Sequence, residues 1–342
     1  MSAKPTIYDV AEEAGVGIGT VSRVLNNSTN VSERSRLRVQ QAIRKLGFKP
    51  SSAARKLSRQ TRIHNLGVIT QSFNSYYSFA ERLRGVQAFL SEQDEKYELI
   101  LYNASSRDNA AEQLKAIIRD AAVEGLMIID IDLSAEEQKA LRQANIPYIG
   151  VNNSTASLSP NIGADNHEGA RLATQYLIDN GHRHIAYIGD FFVDERFGFT
   201  TSHERYNGYR TALETNGFAH NEDFVKLGEH GYDAAHQSTL ELIALPHRPT
   251  AIFAMSDTQA LGCMAALRQC GLDVPADVSV MGYDDLEISK HTGLTTVRQH
   301  LELSGRRGAA YLLHTLKRTT SDVNLTLPQP VVIPRQTTRD IG

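Results

Sequence analysis

Three glycines alternate in "GVGIGTVSRVLN" (15–26), at Gly15, Gly17 and Gly19. Backbone this bare can cradle a phosphate, or it can turn tightly into a short helix. The flanks decide between them. A dinucleotide fingerprint needs a strand before the glycines, and a P-loop needs Gly-Lys-Ser/Thr after them. Neither is present. Instead, Thr6 with Asp9 three residues on makes a variant capping box, and Ile7, Val10, Ala11 and Ala14 share one helical face. A second set of chemically able residues follows apolar runs further along. It comprises Asn152 and Asn153, Ser256 and Asp257, and Asp284 and Asp285, with Phe73, Tyr76, Tyr77, Phe79 and the segment "DFFVDERFGFTTSHER" (190–205). Aromatic faces stack on C–H surfaces, while short carboxylates, amides and an arginine satisfy paired hydroxyls. That is the chemistry of sugar recognition.

The elements that must hold the first set are short helices. Gly15 suits a left-handed helix end, Gly17 a modest N-cap, and Val21, Val24 and Leu25 the apolar face of a second helix. A third helix is predicted from Ser32 to Gly47, through Leu37, Ala42, Ile43 and Leu46. Three short helices with a tight turn between the first two form a helix-turn-helix. In that geometry the start of the second helix meets base edges in the major groove of DNA. Ile18, Thr20, Ser22 and Arg23 are then the candidate readers, with Arg23 able to make a bidentate contact to guanine. Ser51 can cap a further segment, "SSAARKLSRQTR" (51–62), too short to be stable as an isolated helix. Its one large apolar side chain, Leu57, is either ordinary packing or a minor-groove wedge. The charge distribution agrees with this reading. Residues 1–62 carry twelve Lys/Arg against four Asp/Glu, a balance of +8, while the remainder carries 24 against 35, or −11. A basic head on an acidic body points to a nucleic-acid partner.

The second set needs a different scaffold. From Asn65 apolar runs alternate with amphipathic helices: "LGVIT" (66–70), "YELILY" (97–102), "GLMIID" (125–130), "YIGVN" (148–152), "HIAYIGD" (184–190), "DFVKLG" (223–228), "TAIFAM" (250–255) and "SVMGYDD" (279–285). Continuous apolar strands separated by helices predict parallel sheets covered on both faces. Eight such units, in two groups of four, suit two lobes better than one closed barrel. Ligands of open parallel sheets bind beyond the carboxyl ends of the strands, where the second set lies. Plainer roles stay open: Ser256 and Asp257 can cap a helix that starts near Thr258, and Asp285 can be a turn residue.

"TIYDVAEEAGVGIGTVSRVLNNSTNVSERSRLRVQQAIRKLGFKPSSAARKL" (6–57) resembles the head of the lactose- and galactose-repressor (LacI/GalR) transcription regulators, and the likeness extends over essentially the whole chain. The resemblance implies that Ile18, Gly19, Thr20 and Arg23 occupy base-reading positions. It also implies that Ala54 and Leu57 belong to a hinge helix, with Leu57 wedged into the minor groove. Thr6, Tyr8, Gly17, Ser22, Asn26 and Ser51 complete the candidate DNA-binding set. Gly17 stands where such regulators usually have a serine cap, Gly19 where a side chain often discriminates operators, and Ser51 where an asparagine is usual. In similar regulators a small effector sits between the lobes. The matching positions are Arg205 before "YNGY", Asp257 in "SDTQALG", Asp284 in "GYDD", Phe79 in "SFAERLRG", and Asn152, where some members have an aspartate. "GEHGYDAA" (228–235) puts His230 near the position of a frequent aromatic stacker, and the phenylalanine-rich loop at 191–199, Phe197 included, offers stacking instead. A sugar is the expected effector, and a purine or nucleoside the alternative.

The expected fold class is α/β. An all-α helix-turn-helix head (1–50) and a hinge helix with linker (51–63) precede a two-lobed, periplasmic-binding-protein-like body (64–342) of parallel sheets flanked by helices. The chain should cross between lobes near 157–166 and again near 285–300. No constellation argues for catalysis. Gly-x-Ser-x-Gly and His-Glu-x-x-His are both missing, and a sugar kinase would need a phosphate-binding glycine loop in the body. A secreted solute-binding protein would carry an export signal in place of the basic head. Cys263 and Cys270 read as small hydrophobes of a reducing compartment, so no metal site or cofactor is expected. No apolar run can span a membrane, and the start has no secretory core, which suggests a cytoplasmic protein. The expected partners are a small-molecule effector and a near-palindromic operator in double-stranded DNA, whose symmetry mirrors that of a homodimer. No leucine heptad follows "LPQPVVIPRQTTRDIG" (327–342) to build a tetramer.

Overall fold

The computed structural model describes residues 6–25, 31–46, 63–71, 77–153, 158–192, 200–320 and 322–342. The chain divides into two compact units, Met1–Arg62 and Ile63–Gly342. Asn26, Ser51, Ala54, Leu57 and Phe197 lie outside the described residues, as does the expected hinge segment up to Arg62.

The first unit contains three helices, α1 (Ile7–Ala14), α2 (Ile18–Leu25) and α3 (Glu33–Leu46). The capping box forms: the Asp9 N–H donates to the Thr6 hydroxyl, and the Asp9 carboxylate accepts from the Thr6 N–H at 2.6 Å. Gly15 ends α1 at φ +61°, a left-handed conformation that costs glycine nothing. The Gly17 carbonyl accepts from Thr20 and Val21, placing Gly17 at the N-cap of α2. The Ser32 hydroxyl accepts from the Ser35 N–H, so it caps α3. Val10, Val21 and Val39 are fully buried where the three helices meet.

All eight strands expected in the second unit are present. In lobe 1, β1 (Ile63–Gln71), β2 (Lys96–Ala104), β3 (Gly125–Ile129) and β4 (Tyr148–Val151) pair in parallel. Helices α4 (Ser78–Ser91), α5 (Arg107–Asp120) and α6 (Ala135–Gln143) connect them. In lobe 2, β6 (Ile185–Asp190), β7 (Val225–Gly228), β8 (Ala251–Ala254) and β9 (Ser279–Met281) form a parallel sheet in the order β7-β6-β8-β9. Its helices are α7 (Asn166–Asp179), α8 (Thr201–Thr215), α9 (Tyr232–Ile243), α10 (Asp257–Gln269) and α11 (Glu287–Thr292).

The even split into four and four strands is corrected. A fifth strand, β5 (Asn161–Ile162), extends lobe 1 to the order β2-β1-β3-β4-β5, and β10 (Thr296–Arg298) pairs antiparallel with β11 (Val331–Ile333). Segments of two or three residues show no period of their own; β9 is as short, but the apolar run around it marked it. The number of crossings also changes, from two to three. Ile162 packs in lobe 1 and Ala170 in lobe 2; Val297 packs in lobe 2 and Ala309 of α12 (Leu301–Thr315) in lobe 1; and Leu327 packs in lobe 1 while Val332 returns to lobe 2. The third connection was missed because the segment that returns to lobe 2, β11, is only three residues long.

Helices α4 and α12 cross at a backbone contact. A Cβ on Gly85 would lie 1.8 Å from the Glu302 carbonyl oxygen, and one on Gly305 would lie 1.9 Å from that of Arg82. Only glycine fits at either position. The crossing clamps α4 beside the residue, Arg82, that this helix sends toward lobe 2.

Candidate functional site

Strand ends from both lobes converge on one cavity. Lobe 1 supplies Gln71 at the end of β1, Ser78 and Arg82 from α4, Asp130 after β3 and Asn152 after β4. Lobe 2 supplies Thr201 and Arg205 from α8, His230 after β7, Met255 and Ser256 after β8, and Asp284 after β9. Gln299, on the second connection between the lobes, completes the lining. Asp130, Asn152 and Asp284 have positive φ, at +55°, +60° and +125°. Non-glycine residues rarely adopt this backbone, and such strain gathers at functional sites.

Arg205 is the most constrained member of the lining. Its Nη1 donates to the Met255 carbonyl at 2.6 Å and its Nε to Asn166 Oδ1 at 3.0 Å. The guanidinium lies 3.7 Å from Asp284 and stacks over the Tyr283 ring at 3.8 Å. Gln299 donates to Asp284 at 2.5 Å. Opposite, Asn152 donates to Asp130 at 2.5 Å, and Arg82 lies 3.9 Å from the same carboxylate. Burial pushes both carboxyls above the ordinary range, against the pull of Arg82 and Arg205, which acts on each of them. His230 turns Nδ1 to Asp190 at 3.0 Å, and Gln259 steadies that carboxylate at 2.9 Å. The arrangement presents donors and acceptors to a polar ligand from two walls at once.

Of the sequence-derived effector candidates, Asn152, Arg205, His230 and Asp284 come together here. Phe79 packs in the lobe 1 core with Val86 and Leu90, and does not line the cavity. Asp257 is wholly buried behind the wall. Its carboxylate accepts from the Leu286 N–H, the Ser289 hydroxyl and the Thr296 hydroxyl, tying α10 to the segment that carries Asp284. Burial and the neighbouring Asp284 push it up to about 8. Ser256 both caps α10 and lines the cavity, so its two readings coexist. Sequence reasoning missed Gln71, Ser78, Arg82, Asp130, Met255 and Gln299, while Thr201 lies in the segment 190–205 that it singled out. Asp130 was recoverable, since it is the last residue of the third strand run. Arg82 looks like any solvated helical arginine.

In the head, Tyr8 and Ile18 are exposed, at 67 % and 42 %. Gly17 and Gly19 are exposed too, and a Cβ on either would meet nothing within 4 Å. Thr20 is half-buried, and Ser22 and Arg23 follow on α2. The Thr6 hydroxyl is engaged in the capping box. Among the described residues, no helix is long and apolar enough to cross a membrane.

Residues 6–51 match the model of "bacterial regulatory proteins, lacI family", and residues 174–338 that of a "periplasmic binding protein-like domain". Over 342 residues the chain is 34% identical to the HTH-type transcriptional repressor PurR of Vibrio campbellii, covering 98% of this chain and 99% of that protein. The chain belongs to the lacI family. Among solved structures, a lac repressor dimer bound to operator superposes with a TM-score of 0.71 at 26% identity, covering 98% of this chain and 100% of that one. A complex of the transcriptional regulator CelR with cellobiose matches with a TM-score of 0.67 at 31% identity, covering 97% and 99%. This lacI-family member is a DNA-binding transcriptional regulator, as its relatives are, and not an enzyme.

Proposed function

We propose that this regulator is a homodimer whose operator affinity is set by a sugar bound in the cavity between the lobes. The observation that carries the reading is the cavity itself. Arg205 and Asp284 from one lobe face Arg82, Asp130 and Asn152 from the other, so a polar ligand contacts both walls only when they close on it. Guanidinium, carboxylate and amide groups beside one another match the paired hydroxyls of a sugar, and the related CelR is seen in complex with cellobiose. A purine or nucleoside is the competing class. Two heads read the halves of a near-palindrome through Ile18, Thr20, Ser22 and Arg23, while Ala54 and Leu57 of paired hinges hold the minor groove. Gly19 stands among the base readers without a side chain, Tyr8, Gly17, Asn26 and Ser51 complete the DNA-facing set, and Thr6 shapes the start of α1. Ligand alters operator affinity only through its unequal binding to the DNA-competent and incompetent states, and DNA alters ligand affinity reciprocally.

Selection of bound fragments from random duplex DNA at fixed salt tests the first half of the proposal. Enrichment of a two-fold-symmetric site with a flexible centre is the expected result. Selection that enriches no site, with or without pooled sugars and nucleosides, contradicts it.

A further inference from the structure

The charges of the cavity are matched within it. Its lining holds two guanidinia, Arg82 and Arg205, and two carboxylates, Asp130 and Asp284. As whole residues all four are more than nine-tenths buried. They pair within each lobe, Arg82 with Asp130 at 3.9 Å and Arg205 with Asp284 at 3.7 Å. The imidazole of His230 faces a carboxylate of its own, Asp190. Cationic charge is therefore not in surplus among the described residues of the site. A phosphate or carboxylate brought here would lose its water with no unmatched cation to receive it, a large cost in a buried setting. Hydroxyls face no such cost: they donate to the carboxylates and accept from the guanidinia. One donor is open to them. Arg82 is 3 % exposed, and its Nε–H has no hydrogen-bond partner among the described residues. A buried donor left in that state is expensive unless a ligand completes it.

We infer that the effector of this protein is uncharged, a hydrogen-bonding molecule with neither phosphate nor carboxylate, and that the Nε–H of Arg82 is the lobe 1 donor that receives it. The inference rests on the cavity being the effector site, and it is independent of whether that effector is a sugar. Arg82 is a specificity-determining residue in this account, matched in charge by Asp130 so that it selects acceptor oxygens without selecting anions.

Calorimetric titration of the full-length protein with matched pairs separates the two questions. The pairs are glucose and glucose 6-phosphate, cellobiose and cellobionate, and inosine and inosine 5′-phosphate. Within whichever pair binds, the neutral member should bind at least about tenfold more tightly, equivalent to about 1.4 kcal/mol. Tighter binding of the anionic member overturns the inference. Binding of inosine alone leaves the inference standing and removes the sugar reading. Asp130→Asn frees the charge of Arg82 and should narrow or reverse the neutral preference; an unchanged preference overturns the inference. If no pair binds, inorganic phosphate decides. A phosphate-dependent rise in Tm of the wild type that Arg82→Met abolishes overturns the inference. Absence of a rise in the wild type with its appearance in Asp130→Asn supports it, and absence in both overturns it.

Discussion

The two walls of the cavity are built to different standards. On the lobe 2 side, Arg205 has two hydrogen bonds, a carboxylate and an aromatic face, and His230 rests on an Asp190 that Gln259 holds. Behind them Asp257 gathers three donors from α11, β10 and the segment between β9 and α11. On the lobe 1 side, Arg82 reaches its acid only at 3.9 Å and keeps one N–H without a partner among the described residues. Lobe 2 is thus organised on its own, and lobe 1 leaves a donor for a ligand to complete. A preorganised wall binds without paying to order itself, while an incomplete wall gives ligand something to change. A regulator needs that second property, because only unequal binding to two states can shift DNA affinity.

Substitutions on the two sides should therefore behave differently. The largest effect belongs to Arg205→Met, which leaves Asp284 buried without its cation. It should lower stability by about 3–5 kcal/mol and abolish ligand binding, as read by urea unfolding and calorimetry. Gly305→Ala comes next. Its Cβ would drive into the Arg82 carbonyl, so it should cost about 1–3 kcal/mol by overpacking. Gly228→Ala, where a Cβ meets nothing within 4 Å, is the control and should stay within about 0.5 kcal/mol. Arg82→Met should separate the two readouts, weakening ligand by about tenfold or more, for loss of a charged hydrogen bond of about 1.5–3 kcal/mol, while moving the urea midpoint far less than Arg205→Met. Equal midpoint losses in the two variants would erase the contrast between the lobes.

The smallest effect is a pH slope. Burial and the neighbouring Asp284 push the Asp257 carboxyl from the ordinary carboxylate range in the unfolded chain up to about 8 in the folded protein. Between those values the folded protein holds a proton that the unfolded chain has released, so this group's contribution to stability falls as pH rises toward 8. Chemical denaturation of wild type and Asp257→Asn from pH 6 to pH 9 should show a negative slope in the first that is reduced in the second. Parallel curves would mean that the three donors hold the carboxylate ionised throughout.

Much of the frame was legible before the structure. Thr6, Gly15, Gly17 and Ser32 act through backbone chemistry confined to one turn, and each stands where its residue type says it should. The eight expected strands were legible as apolar runs, most plainly β3, β4, β6 and β8, which are buried on both faces. β5, β10 and β11 were not, at two or three residues each. The site was legible where the strand-end rule was applied and silent where tertiary contact decides. Asp257 carries the residue type of a ligand contact, yet its neighbours Ser289 and Thr296 claim its oxygens. Phe79 carries the type of a stacker, yet α4 turns it into the lobe 1 core. Arg82 carries no local mark at all, since its importance comes from the glycine crossing at 85 and 305, far apart in sequence.

The central claim is that a ligand of the cavity controls binding to DNA. The most direct test measures affinity for the selected duplex by fluorescence anisotropy at fixed salt, with and without a saturating concentration of a ligand shown to bind the body. The account expects a change of roughly 5- to 150-fold, the range of a coupling of about 1–3 kcal/mol, and its loss in Arg205→Met. An affinity for DNA that stays the same for every ligand that binds would contradict it.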